Sequence, residues 1–219
     1  MKVVVGLYDE KRYNQACEAL KEYPGAFRKA QSDAIKRMNS FINRRAQELI
    51  TKEYDISRAD VRKEGTVTKR VSYTPGGEIV STTAFKGQLI ALYKFHPNPS
   101  QDIRQSKKVY VDKGLGRVIR VSPSVLTKAH LAKDKPMTKL NDAFVATMPT
   151  GHIGIWERTG ERTRDGAGPE EIRELTGNSV AHMVGYGEIA DQILSEAADR
   201  FITRLDSNVQ RIREGKWKI

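Results

Sequence analysis

The chain has 219 residues, of which 38% are hydrophobic and 30% are charged, and this length is enough for one good core or two modest domains. With 38 basic and 27 acidic residues the formal net charge is +11, which favours a polyanion or an acidic protein as partner, or serves solubility alone. The single cysteine, Cys17, excludes an intrachain disulfide, and no apolar run reaches the roughly 20 residues of a membrane helix. The composition predicts a soluble protein that is assembled in a reducing cytoplasm and has no membrane partner.

Two helices are predicted in the first quarter of the chain. Residues 1–24 are expected to hold a short N-terminal helix over Tyr8–Tyr23, closed by Pro24-Gly25. From Ala26 to about Tyr54, apolar residues recur at steps of three and four, which predicts one long amphipathic helix. Basic residues on its outer side are candidate contacts to DNA or to an acidic partner, because they release the counterions condensed on phosphates. These candidates are Arg28, Lys36, Arg37, Arg44 and Arg45.

The centre of the chain is predicted to be rich in β-structure. Ser57 is expected to cap a short helix that Gly65 stops, because its hydroxyl can accept from the first backbone amides of the helix. Beyond Gly65 the apolar residues follow the period of strands. The predicted elements are a hairpin around Thr74–Gly77, a buried strand over Leu89–Phe95, and a ribbon of Val109–Val111 with Val118–Val121.

The most informative stretch of the chain is a further predicted hairpin. Phe144–Met148 and Ile153–Trp156 flank a turn that contains Pro149, Gly151 and His152. A charged, glycine-rich loop over residues 160–169 follows and is expected to be flexible, and Glu170-Glu171 are expected to start a helix. The candidate assembly contacts of the hairpin and the loop are Phe144, His152, Trp156, Arg158, Arg162 and Arg164. His152 is interpreted as a hydrogen-bonding residue of the hairpin tip rather than as an acid or a base.

The last element is a second long helix. Apolar residues at steps of four and three predict that it runs from about Gly187 to Arg213 with one apolar face. Two long helices that bracket a β-rich centre indicate an α+β fold, in which the helices pack on a largely antiparallel sheet with hairpin arms. Residues 1–219 are interpreted as a single domain.

The spacing of chemically reactive residues does not predict an active site. The four histidines are far apart in the sequence, and the lone cysteine has no CxxC partner, so no metal ligand is assigned. Gly114-Leu115-Gly116 begins like a dinucleotide-binding fingerprint, but Ile119 stands where the third glycine belongs. We therefore expect no enzyme, no catalytic residue and no cofactor. A hydrolase, the remaining enzymatic alternative, would need a deep pocket that gathers a carboxylate with a histidine.

A binding module is the alternative from another functional class. The basic side of the long helix and the arginines after the hairpin could contact phosphates, although the helix also carries Asp33, Glu48 and Glu53. No known DNA-binding or RNA-binding motif is present. This alternative predicts a contact with DNA that is electrostatic and independent of sequence.

An ordered series of segments resembles the minor tail protein Z family, the tail completion or neck proteins of tailed bacteriophages. The series starts with the long helix (Ala26–Tyr54), the charged segment Ser57–Lys63 and the strand-like run Leu89–Phe95. Phe144–Arg158 is the closest match, because the family shows a Phe-Val-Ala strand, Gly-His-x-Gly, an apolar pair and Arg there. Glu174–Val180 parallels a Leu-x-Gly-Pro-Ser-apolar segment before the last helix.

The resemblance covers about Ala26 to Arg213, with two departures. Asn178 stands where the family usually has proline, and Glu171-Ile172 replaces a Pro-Ile pair. The resemblance implies a structural virion protein that completes the head-proximal end of the tail and enables head–tail joining. It also implies a hexameric ring of this chain around the DNA channel, with tail tube or tail terminator proteins, head connector proteins and packaged double-stranded DNA as partners.

Overall fold

The computed structural model describes residues 2–5, 10–21, 24–73, 79–98, 100, 109–112, 117–120, 127–140, 143–162 and 170–217. The helices in these ranges are α1 (Glu10–Ala19), α2 (Pro24–Glu53), α3 (Arg58–Glu64), α4 (Val180–Gly185) and α5 (Ile189–Arg213), with a 3-10 helix at Leu92–Lys94. The strands are β1 (Lys2–Val5), β2 (Gly65–Tyr73), β3 (Ile79–Gly87), β4 (Val109–Asp112), β5 (Arg117–Arg120), β6 (Lys128–Ala129), β7 (Thr138–Lys139), β8 (Ala143–Thr147), β9 (Ile153–Arg162) and β10 (Glu170–Glu174). All the strand pairs that these residues form are antiparallel, and the predicted α+β class is confirmed.

The two long helices lie where the apolar period places them. α2 has 30 residues and α5 has 25. The predicted start of α2 differs in one detail, because Pro24 is its first residue rather than the end of α1. The first position of a helix suits proline, since the amide hydrogen that proline lacks would have no partner within the helix there. α1 itself ends earlier, at Ala19.

The predicted cap and the strand pairings of the predicted hairpins are confirmed, and the predicted turn Thr74–Gly77 lies outside the described residues. The amide of Asp60 donates to the Ser57 hydroxyl at 3.1 Å, and α3 gives way to β2 at Gly65. β2 pairs with β3, β4 with β5, and β8 with β9. In the last of these, Phe144 lies opposite Trp156.

The predicted strand over Leu89–Phe95 is wrong. This segment is irregular except for its 3-10 helix, although Ile90, Leu92 and Phe95 are buried as expected and Leu89 is 63% exposed. A short apolar run has too few residues to show whether its period is that of a strand or of a helix. The backbone amide of Leu92 instead donates to the carbonyl of Leu175 at 2.9 Å.

The segment after the hairpin also differs from its prediction. Gly160, Glu161 and Arg162 belong to β9, and Arg162 pairs with Glu170, so this part of the predicted loop is strand. Residues 163–169 lie outside the described residues. Glu170-Glu171 begin β10 rather than a helix, because their backbone completes the ladder of β9.

The chain divides into two compact units, which we describe separately. Unit 1 comprises Met1–Ile50, Arg62–Gln88 and Ser179–Ile219, and unit 2 comprises Thr51–Val61 and Leu89–Asn178. The interpretation of the whole chain as one domain stays a prediction.

Unit 1 combines helices with the sheet β1-β3-β2. One part of its core joins α1, α2 and α5 through Ala16, Leu20, Ala30, Ala34, Leu205 and Val209. Alternate residues of β3 (Ser81, Thr83 and Phe85) are buried. The buried Asn39 of α2 accepts hydrogen bonds at Oδ1 from Ser81 Oγ at 3.0 Å and from Thr83 Oγ1 at 3.2 Å, so this side of the sheet faces α2.

Unit 2 is built around the sheet β10-β9-β8 and the 3-10 segment. Its fully buried side chains include Ile90, Phe95 and Ile155. Gly177 passes so close to Phe95 that an added Cβ would lie 2.8 Å from the ring, and its amide donates to the Ile90 carbonyl at 2.7 Å. Only glycine fits this passage without displacing the ring.

Candidate functional site

The turn between β8 and β9 is fixed by the backbone. The amide of Met148 donates to the carbonyl of His152 at 2.8 Å, and the amide of Gly151 donates to the carbonyl of Met148 at 2.9 Å. Gly151 has a φ of 83°, a left-handed conformation that favours glycine. The hairpin therefore holds His152 at a defined place beside the sheet.

The turn and one face of this sheet gather most of the predicted assembly contacts. Phe144, Trp156 and Glu174 lie side by side in the register of β8, β9 and β10, and Arg158 follows two residues after Trp156. Residues that are paired across strands or two apart along a strand share a face. We call Phe144, His152, Trp156, Arg158 and Glu174 the Trp156 face.

The indole of Trp156 is held in place from two sides. Its Nε1 donates to the carbonyl of Ala146 at 3.1 Å, and the ring of His152 stands edge-on to it at 6.0 Å between centroids. A Cβ at Gly154 would lie 2.6 Å from Oε1 of Glu174 and 3.0 Å from Nε1 of Trp156, so both side chains pack directly against the backbone of Gly154. The indole is only partly buried, so it is accessible to a partner, and the contacts above orient it before any partner arrives.

Charged groups flank the indole. Nε2 of His152 and Oε1 of Glu174 are 2.8 Å apart, with 49% and 27% of these side chains exposed. The guanidinium carbon of Arg158 lies 5.4 Å from the centroid of the Phe144 ring, a cation–π distance. The face thus presents aromatic surface between an arginine and a histidine–glutamate pair.

The two remaining predicted contacts are placed differently. Arg162 is exposed at the end of β9, four residues beyond Arg158, which is about 13 Å along a strand. Arg164 lies outside the described residues.

The predicted basic side of α2 is interrupted by carboxylates. Arg28, Lys36, Arg37 and Arg44 are exposed. Arg37 Nε lies 3.8 Å from Asp33, and Arg44 Nε lies 3.8 Å from Glu48. Arg45 is partly buried, and its guanidinium binds Glu196 of α5. Arg45 is thus committed to a contact between two helices of unit 1.

A cluster in unit 2 was not predicted from the sequence. Asp55 holds two histidines, because Nδ1 of His96 lies 3.0 Å from its Oδ1 and Nδ1 of His130 lies 3.0 Å from its Oδ2. Nε2 of His130 lies 2.7 Å from the carbonyl of Lys135. No sequence spacing links these residues, so only the fold reveals the cluster. Among the described residues, no group of three or more histidine, cysteine, aspartate and glutamate side chains is arranged to hold a metal ion.

Comparisons of the chain with protein-family models, curated proteins and solved structures find no match. None of the helices formed by the described residues is both long enough and apolar enough to cross a membrane.

Proposed function

We propose that this chain is a non-enzymatic structural protein of a tailed-bacteriophage virion. It completes the head-proximal end of the tail and enables head–tail joining, as a ring of identical subunits around the DNA channel. Its partners are further copies of itself, tail tube or tail terminator proteins, and head connector proteins, and it is assembled in the cytoplasm of the bacterial host.

The Trp156 face is the observation that carries this proposal. Tryptophan and arginine are over-represented among the residues that dominate protein–protein binding energy. Trp156 and Arg158 are both positioned by contacts within unit 2, so docking a partner costs little side-chain ordering. The hairpin in which these residues lie is also the segment that most closely resembles the tail completion family.

A ring of identical subunits requires a particular kind of contact. Rings of identical subunits close through heterologous contacts, in which one patch meets a different patch on the neighbouring copy. The Trp156 face is one of those two patches, and it serves either the neighbouring subunit or the tail tube.

The test measures assembly. We would determine the molar mass of the purified protein by light scattering, alone and with purified tail tubes, and compare it with the variant Trp156→Ala/Arg158→Ala. We expect a ring or a tube-bound complex from the natural chain and a folded monomer that does not bind tubes from the variant. The control is Arg28→Gln, which changes an exposed residue of unit 1. The proposal is wrong if the natural chain stays monomeric and ignores tubes, or if the variant assembles equally well.

A second experiment tests the loop after the hairpin. Deletion of residues 163–169, which leaves β9 intact, is expected to block the joining of tails to heads while the monomer still folds. Normal yields of joined, infectious particles would remove this segment from the proposed contact.

A further inference from the structure

The sheet of unit 1 has a second face, which turns away from the buried residues of β3. In the ladder Thr68 lies opposite Ala84, and Arg70 lies opposite Thr82. Along β3 burial alternates, with Ser81, Thr83 and Phe85 buried and the residues between and after them more open. We define the outer sheet face as Thr66, Thr68, Arg70 and Ser72 of β2 together with Val80, Thr82, Ala84 and Lys86 of β3.

This face is basic and lies on strands without acidic residues. β1, β2 and β3 contain no aspartate or glutamate. The outer sheet face carries Arg70 and Lys86, which are both exposed, and Lys2 of β1 lies opposite Ala84 in the same ladder. Lys69 lies opposite the buried Thr83 and belongs to the other face. On α2, by contrast, Arg37 and Arg44 lie beside carboxylates of their own helix. The positive potential is therefore less compensated over the sheet than over the helix.

The other members of the face are Val80, Ala84 and four residues with hydroxyl groups. Thr68, Ser72 and Thr82 offer hydroxyl donors between the cations. In addition, β2 is the outermost strand of this sheet among the residues that the structure describes, and an edge strand presents backbone groups along its outer side. Lysine, arginine, serine, threonine and backbone amides are the groups that contact DNA phosphates.

We propose that the outer sheet face binds the phosphate backbone of double-stranded DNA, without preference for sequence. The face presents no aromatic side chain on which the bases of a single strand could stack. A second copy of the same face would bring like charges together, which is unfavourable across a sheet. The proposal goes beyond the assembly function and depends on neither the ring nor the Trp156 face.

The test compares two double variants that remove the same charge. Arg70→Gln/Lys86→Gln changes the outer sheet face, and Arg28→Gln/Lys36→Gln changes α2 as the matched control. Binding to a short duplex is measured by fluorescence anisotropy over a range of salt concentrations. Each lost phosphate contact lowers the slope of log affinity against log salt by about 0.9, so the sheet variant, which loses two cations, should lose about 1.8. Its affinity should fall by at least about tenfold at low salt, and the control should keep most of its slope.

Three results would overturn the proposal. The first is natural protein that does not bind the duplex, and the second is an equal loss of slope in both variants, which would reflect net charge alone. The third is displacement of the duplex by polyglutamate as effectively as by a competing duplex, which would assign the face to an acidic protein. If the double variant does not fold, Arg70→Gln alone should lower the slope by about 0.9. An unchanged slope in that single variant would also overturn the proposal.

Two further variants complete the design. Arg70→Lys/Lys86→Arg keeps both charges and should retain the natural affinity for the duplex, and a large loss would contradict a role for charge. The assembly variant Trp156→Ala/Arg158→Ala should bind the duplex normally even where it fails to assemble. Failure of the assembly proposal and failure of the DNA proposal are therefore distinguishable.

Discussion

Arg45 of α2 grips Glu196 of α5 through two parallel hydrogen bonds, Nε to Oε2 at 2.8 Å and Nη2 to Oε1 at 2.7 Å. This paired geometry matches the planar guanidinium to the planar carboxylate and orients both groups. The hydrogen bond from Arg45 holds the pKa of Glu196 below its ordinary value. Arg45 is predicted from the sequence to lie on an outer binding surface, but in the structure it connects the helices α2 and α5 of unit 1.

Removing the paired hydrogen bonds between Arg45 and Glu196 should lower the stability of unit 1 without affecting its binding to duplex DNA. We expect Arg45→Gln to lower the thermal midpoint of unfolding by a few degrees and to leave the salt dependence of duplex binding unchanged. The control is Arg44→Gln, because Arg44 makes only an exposed, long contact with Glu48 and such pairs contribute little. Calorimetry of the natural protein, Arg45→Gln and Arg44→Gln measures the three midpoints of unfolding. Equal midpoints would contradict a stabilising role for the Arg45–Glu196 pair.

Acid should destabilise the protein through two carboxylates. Burial raises the pKa of Asp33, but hydrogen bonds from Arg204 and Asn208 outweigh it and lower the pKa overall. Groups with a lowered folded-state pKa stabilise the fold above their unfolded pKa, and this stabilisation is lost as pH falls through the folded value. The ordinary values are 3.8 for Asp33 and 4.5 for Glu196, so the loss begins near the upper value and continues below the lower one. Urea unfolding from pH 7 to pH 2 checks this, and Asp33→Asn/Glu196→Gln should show a shallower fall.

The core of unit 1 should be sensitive at Leu205. This side chain is fully buried in the cluster of α1, α2 and α5, so Leu205→Ala should reduce the free energy of unfolding by about 2–5 kcal/mol. The same substitution at Leu89, which is 63% exposed, should change it by less than about 0.5 kcal/mol. Urea unfolding measures both, and similar effects would contradict the described packing.

Gly154→Ala should disturb the Trp156 face without unfolding unit 2. The added methyl group would collide with Oε1 of Glu174 and crowd Nε1 of Trp156, so the indole must move. We expect a shift of its fluorescence, measured in a Trp217→Phe background, together with weaker binding to tail tubes. Gly25→Ala is the control, because nothing lies within 4 Å of the position of its added carbon.

Asp55→Ala should loosen the segment that follows α2. The substitution leaves His96 and His130 without their shared carboxylate, which should cost about 1–3 kcal/mol. Hydrogen exchange should accelerate at the amide of Lys133, which donates to the carbonyl of Glu53. Asp134→Ala, an exposed change in the same segment, should leave that exchange rate unchanged.

The elements that could be predicted from sequence are those whose signal is local. α2 and α5 repeat their apolar period over many turns, and the three hairpins combine strand patterns with turn residues. β10 has one apolar residue, Ile172, and becomes a strand only because β9 offers it a partner. The 3-10 segment at Leu92–Lys94 was predicted to be buried, but its backbone conformation follows from contact with Leu175, more than eighty positions away.

The candidate site divides in the same way. Phe144, His152, Trp156 and Arg158 lie close together in sequence, so the hairpin prediction already groups them. Glu174 joins them only through the pairing of β10 with β9, and nothing in its own neighbourhood indicates this. The strands of the unit 1 sheet carry basic residues and no carboxylates, but the sequence does not show this grouping. The basic residues lie in three separate stretches of chain that only the fold brings together.

The division of the chain into units also orders its folding during synthesis. Unit 2 is complete at residue 178, whereas unit 1 needs 179–219 as well as its two earlier stretches. A ribosome releases the chain from the N-terminus at about 5–20 residues per second. For some seconds, therefore, a nascent chain carries Ala30 and Ala34 of α2 without Leu205 and Val209, which later cover them. We expect the apolar stripe of α2 to be where a chaperone that binds exposed apolar segments contacts the growing polypeptide.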